Sequence, residues 1–247
     1  MKYIAACSYG KDSLATIILA RKHGEPLDEA VYCEVMFDTD ISGEVPEHID
    51  FIRDIAIPKL EGWGIRCITL RSEETYVSSF VRVIRRGSRY GMIRSFPLCG
   101  KCRIQRDCKL PPINKYKRGL EDDVVQYMGI AKDEGERLLR LDGSQKVSLL
   151  DKYGVTEAMA MDICADEGLL SPMYEFTNRG GCWFCPNAKK KELRHLYDHH
   201  PDLWRRMLEL QELPNKATER FNRTQKFSDI DAIFKMESAS QSFALAG

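Results

Sequence analysis

Ser8-Tyr9-Gly10-Lys11-Asp12-Ser13 is the stretch on which the reading of this chain turns. A short apolar run, Tyr3-Ile4-Ala5-Ala6-Cys7, precedes it, and a helical pattern, Leu14-Ala15-Thr16-Ile17-Ile18-Leu19-Ala20, follows. A buried strand, a tight turn and a helix start make an anion site, because unpaired backbone N–H groups and the helix dipole face the same point. Lys11 adds a full positive charge. The spacing is not that of a Walker A loop, since no Gly stands four residues before a Gly-Lys-Ser/Thr. It is not the dinucleotide G-x-G-x-x-G either, because only Gly10 is glycine. The plain alternative is an ordinary strand-to-helix turn with Asp12 or Ser13 as N-cap.

Around this stretch the chain has 247 residues, enough for one good core and an appended subdomain. Its 37 basic and 37 acidic residues balance, so bulk charge points to neither nucleic acid nor membrane. No apolar run is long enough to span a bilayer. The N-terminal apolar run is too short for a secretory signal, which leads to the expectation of a cytoplasmic protein. Charge is segregated locally. From Glu25 to Glu61, eleven acidic residues face only Arg53 and Lys59, while from Arg82 to Arg118 twelve basic residues face only Asp107. The two stretches are either complementary solvated faces or, for 82–118, a basic strip for a phosphate-rich partner such as tRNA or DNA.

Alternating patterns predict strands over 2–7, 30–37, 65–70 and 123–131. Helices are expected over 13–22, 46–60, 76–86 and 157–167, with Thr156 as a cap and Gly24 and Gly168 as stops. Strands alternating with helices predict a parallel α/β sheet covered on both faces. Asp38 and Thr39 close the second strand, the end at which open α/β sheets bind ligands. Helices broken at Pro201 are expected over 189–213, and a loose polar tail after Asn215. His195 and His199 lie four apart, a spacing metals use, though no carboxylate motif accompanies them. Cys7, Cys33, Cys67 and Cys164 fall at core positions and read as small buried hydrophobes.

Nine cysteines are an odd count, and four form two C-x-x-C pairs: Cys99/Cys102 and Cys182/Cys185. Gly180-Gly181-Cys182-Trp183-Phe184-Cys185-Pro186 has the composition of a metal knuckle. Two such pairs supply four thiolates, suited to Zn²⁺ or a [4Fe–4S] cluster.

The Ser8–Ser13 loop resembles the Ser-Gly-Gly-x-Asp-Ser loop of the PP-loop ATP pyrophosphatases, a superfamily that includes the phosphoadenosine phosphosulfate (PAPS) reductases. Tyr9 replaces its first glycine. Other segments extend the resemblance over roughly residues 1–200. Asp38-Thr39 resembles a pair that lies beside the nucleotide in relatives, and Lys109-Leu110-Pro111-Pro112-Ile113 a segment that follows their cysteine region. Gly129-Ile130, Asp133-Glu134 and Arg137 resemble a Gly-Ile-Arg-x-Asp-Glu-x-x-Arg stretch, with Lys132 one place beyond the usual first arginine.

The resemblance implies an adenine-nucleotide α-hydrolase-like, Rossmann-like α/β fold. A nucleotide domain over 1–150 would carry a cysteine insertion around 97–118, followed by a small cysteine-rich helical subdomain over 151–215 and a tail over 216–247. It implies ATP with Mg²⁺, bound by Ser8, Tyr9, Gly10, Lys11, Asp12, Ser13, Asp38, Thr39, Lys109, Gly129 and Asp133, with Lys11, Asp12 and Arg137 in catalysis. Several sulfur-handling relatives carry iron–sulfur clusters, so both metal options stay open. The implied reaction adenylates an acceptor with release of pyrophosphate and passes sulfur, from a sulfur donor, to a nucleic acid or nucleotide. A second option is reduction of an adenylyl sulfate with a thioredoxin-like reductant. No cysteine follows Cys185 in these 247 residues and Lys11-Asp12-Ser13 is kept, and both features favour ATP. A third option is a binding module without turnover.

Overall fold

The structure, a computed structural model, describes residues 1–97, 102–120 and 123–245, the last five by backbone alone. Two compact units emerge. The first is built from Met1–Glu34, Glu44–Ser72 and Lys109–Gly180, the second from Val35–Gly43, Glu73–Cys108 and Gly181–Gly247.

The first unit holds a five-stranded sheet in the order β3-β2-β1-β4-β5, with every pairing parallel. Its strands are β1 (Lys2–Ala6), β2 (Glu29–Glu34), β3 (Arg66–Arg71), β4 (Val124–Met128) and β5 (Lys146–Val147). In the register Ala5 stands opposite Ala30 and Tyr127, and Ala30 opposite Cys67, so these side chains share one face. That face is covered by α1 (Lys11–His23), α2 (Pro46–Phe51), α3 (Ile57–Gly62), α7 (Leu149–Lys152) and α8 (Glu157–Asp166). Leu14, Ile17, Ile18, Phe51, Ile52, Leu60, Leu149 and Cys164 fill the core between them. The short helices α4 (Tyr76–Val81) and α6 (Gly135–Leu138) complete the count up to α8, together with α5 (Leu110–Arg118). On the opposite face Glu29 is buried and takes Lys2 at 2.7 Å, Arg66 at 3.2 Å and the hydroxyl of Tyr116 on α5. The three donors compensate a carboxylate that would otherwise be costly to bury. The α/β class expected from the alternating pattern is what the chain adopts: an all-parallel, helix-flanked, Rossmann-like sheet.

Several boundaries differ from the sequence expectation. β2 stops at Glu34 rather than 37, because Val35, Met36 and Phe37 are buried within the second unit. The 46–60 helix is interrupted by a π-helical turn over Ile52–Ala56. β5, two residues long, lies below what a periodicity argument detects. Helix α8 starts at its expected cap, with the Thr156 hydroxyl accepting from Met159 N. Gly24 at φ 65° closes α1 as anticipated.

In the second unit, α4 opens with a capping box between Thr75 and Ser78. It ends at Val81, short of the expected 86, and residues 82–94 fold back on themselves. Helices α9 (Lys190–His199) and α10 (Pro201–Glu212) meet at Pro201, as expected. The loose tail is corrected: α11 runs from Phe227 to Leu245. Phe227, Ile230 and Phe234 make a stripe at helical spacing, and Trp204 sits against Phe227 at 4.2 Å while donating to Asp231 at 2.9 Å. The polar residues among these apolar positions and the Ser-Ala-Ser-Gln-Ser run at 238–242 that follows disguise that stripe in the composition. Among the described residues no helix is long and apolar enough to cross a membrane.

Candidate functional site

The sheet order places a topological switch point between β1 and β4, where the direction of sheet growth reverses. Open parallel sheets bind ligands in the crevice at the carboxyl ends of such strands. The loop after β1 is Ser8–Ser13, and the turn after β4 begins at Gly129, so two segments singled out from sequence flank that crevice.

Each side chain of the loop has a visible task. The Ser13 hydroxyl donates to Gly10 O at 2.9 Å and accepts from Ser8 N at 3.2 Å, tying the turn across its base. Gly10 is the N-cap residue of α1 but gives no side-chain cap. Lys11 N is instead taken by the Tyr174 hydroxyl at 2.8 Å, and Leu14 N by Gly10 O. The backbone N–H groups of Asp12 and Ser13 have no acceptor among the described residues. These two donors, at the start of a 13-residue helix, present the positive end of its dipole.

Lys11 is nearly buried, and its ammonium lies 2.8 Å from Asp12 and 3.2 Å from Glu157. Burial works against its charge, but the two carboxylates prevail and raise its pKa. The Asp12 pKa is raised as well, because burial outweighs the attraction of Lys11.

Tyr9, where the motif that the loop resembles has glycine, takes φ 56°, in the left-handed region. This conformation costs a residue with a side chain about 1–2 kcal/mol. The ring is completely buried and packs edge-on against Tyr32 at 5.3 Å. Such burial contributes about 1.5–3 kcal/mol and offsets the strain. The Tyr9 hydroxyl is buried beside the Cys67 thiol, and burial, then the neighbouring Cys7 and Cys67, pushes its pKa far up. Strained backbone of this kind collects at functional sites.

Around the loop stand residues that sequence reasoning missed. His48, fully buried, reaches Ser8 O from Nε2 at 3.2 Å and the Ser171 hydroxyl from Nδ1 at 2.8 Å. A carbonyl only accepts, so Nε2 carries the proton and Nδ1 accepts from Ser171. Burial lowers the pKa of His48. The loop brace is therefore intact above the ordinary histidine value near 6.5 and weakens as pH falls below it, because the unfolded chain then binds the extra proton. Melting curves between about pH 5 and 7.5 should show stability falling on the acid side in the wild type. In His48→Ala that acid-side slope should be flatter, at a cost of about 1–3 kcal/mol for the partners left unpaired. Cys164 donates to Lys11 O at 3.1 Å and is pushed up to about 12 by burial. Burial likewise takes Cys7 to about 12 and Cys33 to about 11, so these thiols stay protonated and structural, as their core positions suggested. No motif marks His48 or Tyr174; only the tertiary fold brings them to the loop.

Gly129 is a close-approach glycine: a Cβ there would stand 2.8 Å from Asp12 C and Ser13 N. Lys109 precedes α5, with its carbonyl accepting from the Cys33 thiol at 3.5 Å, and its charge is felt at the Cys7 and Cys33 thiols. That locates a positive charge near the carboxyl ends of β1 and β2. Asp133 accepts from Glu157 N at 3.1 Å at the start of α8. Arg137, about half exposed, pairs with Glu134, which also accepts from Ala131 N.

The remaining candidates belong to the second unit. Asp38 accepts from Thr39 N at 2.9 Å and pairs with Arg206. Their loop holds the second cysteine pair. Trp183 N donates to Gly43 O at 3.0 Å, Trp183 Nε1 donates to Ser42 O at 2.9 Å, and the Phe37 ring packs on Trp183 and Phe184. Cys185 N donates to Cys182 O at 3.0 Å, closing the knuckle turn. Cys102 accepts from Gln105 N at 3.4 Å. Burial above all pushes the pKa of Tyr76 up, with Arg103, Cys185 and Cys182 as its neighbours. Among the described residues the Cys102, Cys182 and Cys185 sulfurs are not all within 4.8 Å of one another. Cys99, the fourth proposed ligand, lies outside the described residues. The His195 and His199 rings lie 4.6 Å apart, tilted by 37°.

No family model matches the chain, and no curated protein matches it.

Proposed function

We propose that the chain is a PP-loop ATP pyrophosphatase of the adenine-nucleotide α-hydrolase-like type, cleaving ATP between its α- and β-phosphates to adenylate an acceptor. The observation that carries this reading is the pair of unpartnered N–H groups on Asp12 and Ser13, beside Lys11, at the switch point of a parallel sheet. These are donors suited to phosphate oxygens. Lys11 and the helix start would hold the β- and γ-phosphates, and Lys109 would add charge on the strand-two side. Asp12 and Glu157, the carboxylates that face Lys11, offer the hard oxygen ligands Mg²⁺ takes. Mg²⁺, when bound, would neutralise charge developing on the phosphates.

In the step itself an acceptor oxygen forms a bond to the α-phosphorus as the bond to the bridging oxygen breaks. Pyrophosphate leaves with that electron pair, stabilised by Lys11 and the loop N–H groups. A sulfur or nitrogen nucleophile then displaces AMP from the adenylated acceptor, a nucleic acid or a nucleotide. The thiolates of Cys102, Cys182 and Cys185, with Cys99, suit zinc or an iron–sulfur cluster by their chemistry. Such a centre would clasp the second unit or serve sulfur delivery.

Equilibrium binding of ATP and of PAPS, followed by pyrophosphate release from ATP with and without RNA or DNA, tests the reading. ATP binding with pyrophosphate release is the expected result. Turnover of PAPS with thioredoxin in the absence of ATP binding would replace it with the reductase.

A further inference from the structure

Within the second unit, residues 82–94 form an ordered arm. Ile84 N donates to Met92 O at 2.9 Å, Gly91 N to Ile84 O at 3.0 Å and Arg94 N to Arg82 O at 3.0 Å. Gly87 and Gly91, at φ 82° and 81°, make the bend. Its base is fastened by Ile93 N to Asn215 O and by Ala217 N to Ile93 O. The stem stands on a run of rings, Phe80 on Phe96, Phe96 on Phe221 and Phe221 on Phe227, each edge-on at 5.0–5.7 Å.

The arm presents Arg85, Arg86, Arg89 and Tyr90. Tyr90 is 75 % exposed, and among the described residues the three arginines have no acidic partner. At the base of the arm lies a cavity of about 550 Å³ lined by Arg89, Arg94, Arg103, Arg106, Phe96 and Thr218. Asp107 compensates part of that charge, 3.1 Å from Arg94 and 2.6 Å from Arg106. Arg103 donates to Ser95 O, while its Nε is buried with no acceptor. A buried guanidinium N–H without an acceptor is costly, and an anionic oxygen in the cavity would relieve it.

We infer that this arm and cavity bind a single-stranded nucleic acid, its phosphates against Arg89, Arg94 and Arg103 and an unpaired base on the Tyr90 ring. Charge continuing along the arm beyond the cavity exceeds what one free phosphate requires. An exposed ring at the tip stacks on bases already out of a duplex. The inference names the acceptor class of the proposed function and rests on that reading for its catalytic meaning, but the binding needs no ATP.

Fluorescence anisotropy of the full chain with fluorescein-labelled oligouridylate and oligothymidylate, without ATP, is the test. Binding should weaken linearly on a log–log salt plot, with a slope of about −0.7 per phosphate neutralised. Tyr90→Ala should weaken it about tenfold. Arg89→Glu, at an exposed position where folding is not at stake, should lower the slope by at least about 0.7, and Lys11→Ala should leave it unchanged. Preference for either oligomer supports the site and identifies the strand. No binding at roughly 50 mM NaCl overturns the inference. So does binding indifferent to both arm variants, or full displacement by inorganic phosphate with Tyr90→Ala silent. Strand binding without pyrophosphate release defeats the ATP reading alone, and pyrophosphate release without strand binding defeats this one alone.

Discussion

Lys11→Ala should lower pyrophosphate release from ATP by about 10²–10³-fold, the usual effect of removing one preorganised donor from a developing anion. The side chain is 6 % exposed and held between Asp12 and Glu157, so its ammonium is fixed before any nucleotide arrives. The loss should therefore fall on kcat more than on KM, since the charge on the leaving pyrophosphate grows toward the transition state. Removing the ammonium also leaves Asp12 facing Glu157 uncompensated, which would repel phosphate. Lys11→Arg separates the two effects, because it keeps the positive charge while altering its reach. Steady-state assays of the three proteins, with thermal melts to confirm folding, decide the point. Turnover within twofold of wild type in Lys11→Ala would remove Lys11 from the chemistry.

Gly129→Ala should be the most damaging one-carbon change in the first unit. The new Cβ would meet the backbone of Asp12 and Ser13 at 2.8 Å, and neither segment has a flexible side chain to give way. Overpacking of this kind costs about 1–3 kcal/mol. For a chain of this size that is a melting shift of about 3–10 °C. The displaced atoms are the Asp12 carbonyl and Ser13 N, one of the two N–H groups on which the phosphate reading rests, so ATP affinity should fall at least about tenfold as well. Gly135→Ala is the control, because nothing lies within 4 Å of a Cβ there and its backbone is not left-handed. Equal melting temperature and ATP affinity in wild type and Gly129→Ala would mean that the loop adjusts freely.

The sheet was legible because buried parallel strands are short apolar runs and their helices carry clear caps and stops, as Thr156 and Gly24 show. The strand–turn–helix geometry around Ser8–Ser13 was legible for the same reason: strand, turn and helix start are local properties. Contacts that cross long stretches of chain were not. Tyr174 meets Lys11 across 163 residues and His48 meets Ser171 across 123, and no local pattern encodes either. Gly129 was picked out by motif, yet its physical task, letting β4 pass against the loop backbone, is visible only in three dimensions. The chain's fivefold crossing between units was equally hidden, since Val35–Phe37 continues the apolar run of β2 while packing elsewhere. Helix α11 was lost to composition: the Ser-Ala-Ser-Gln-Ser run that follows Phe227, Ile230 and Phe234 reads as a tail.

The inverted backbone of Tyr9 has a consequence for how a ligand is received. A glycine loop is a loose purse that must be drawn closed, and its ordering entropy is charged against each binding event. Here a tyrosine ring anchors the turn from beneath, while His48 and Cys164 hold its carbonyls and Tyr174 takes the Lys11 N–H. That ordering is completed when the chain folds. A nucleotide would meet a socket already cast, at the expense of the freedom to reshape around a different anion.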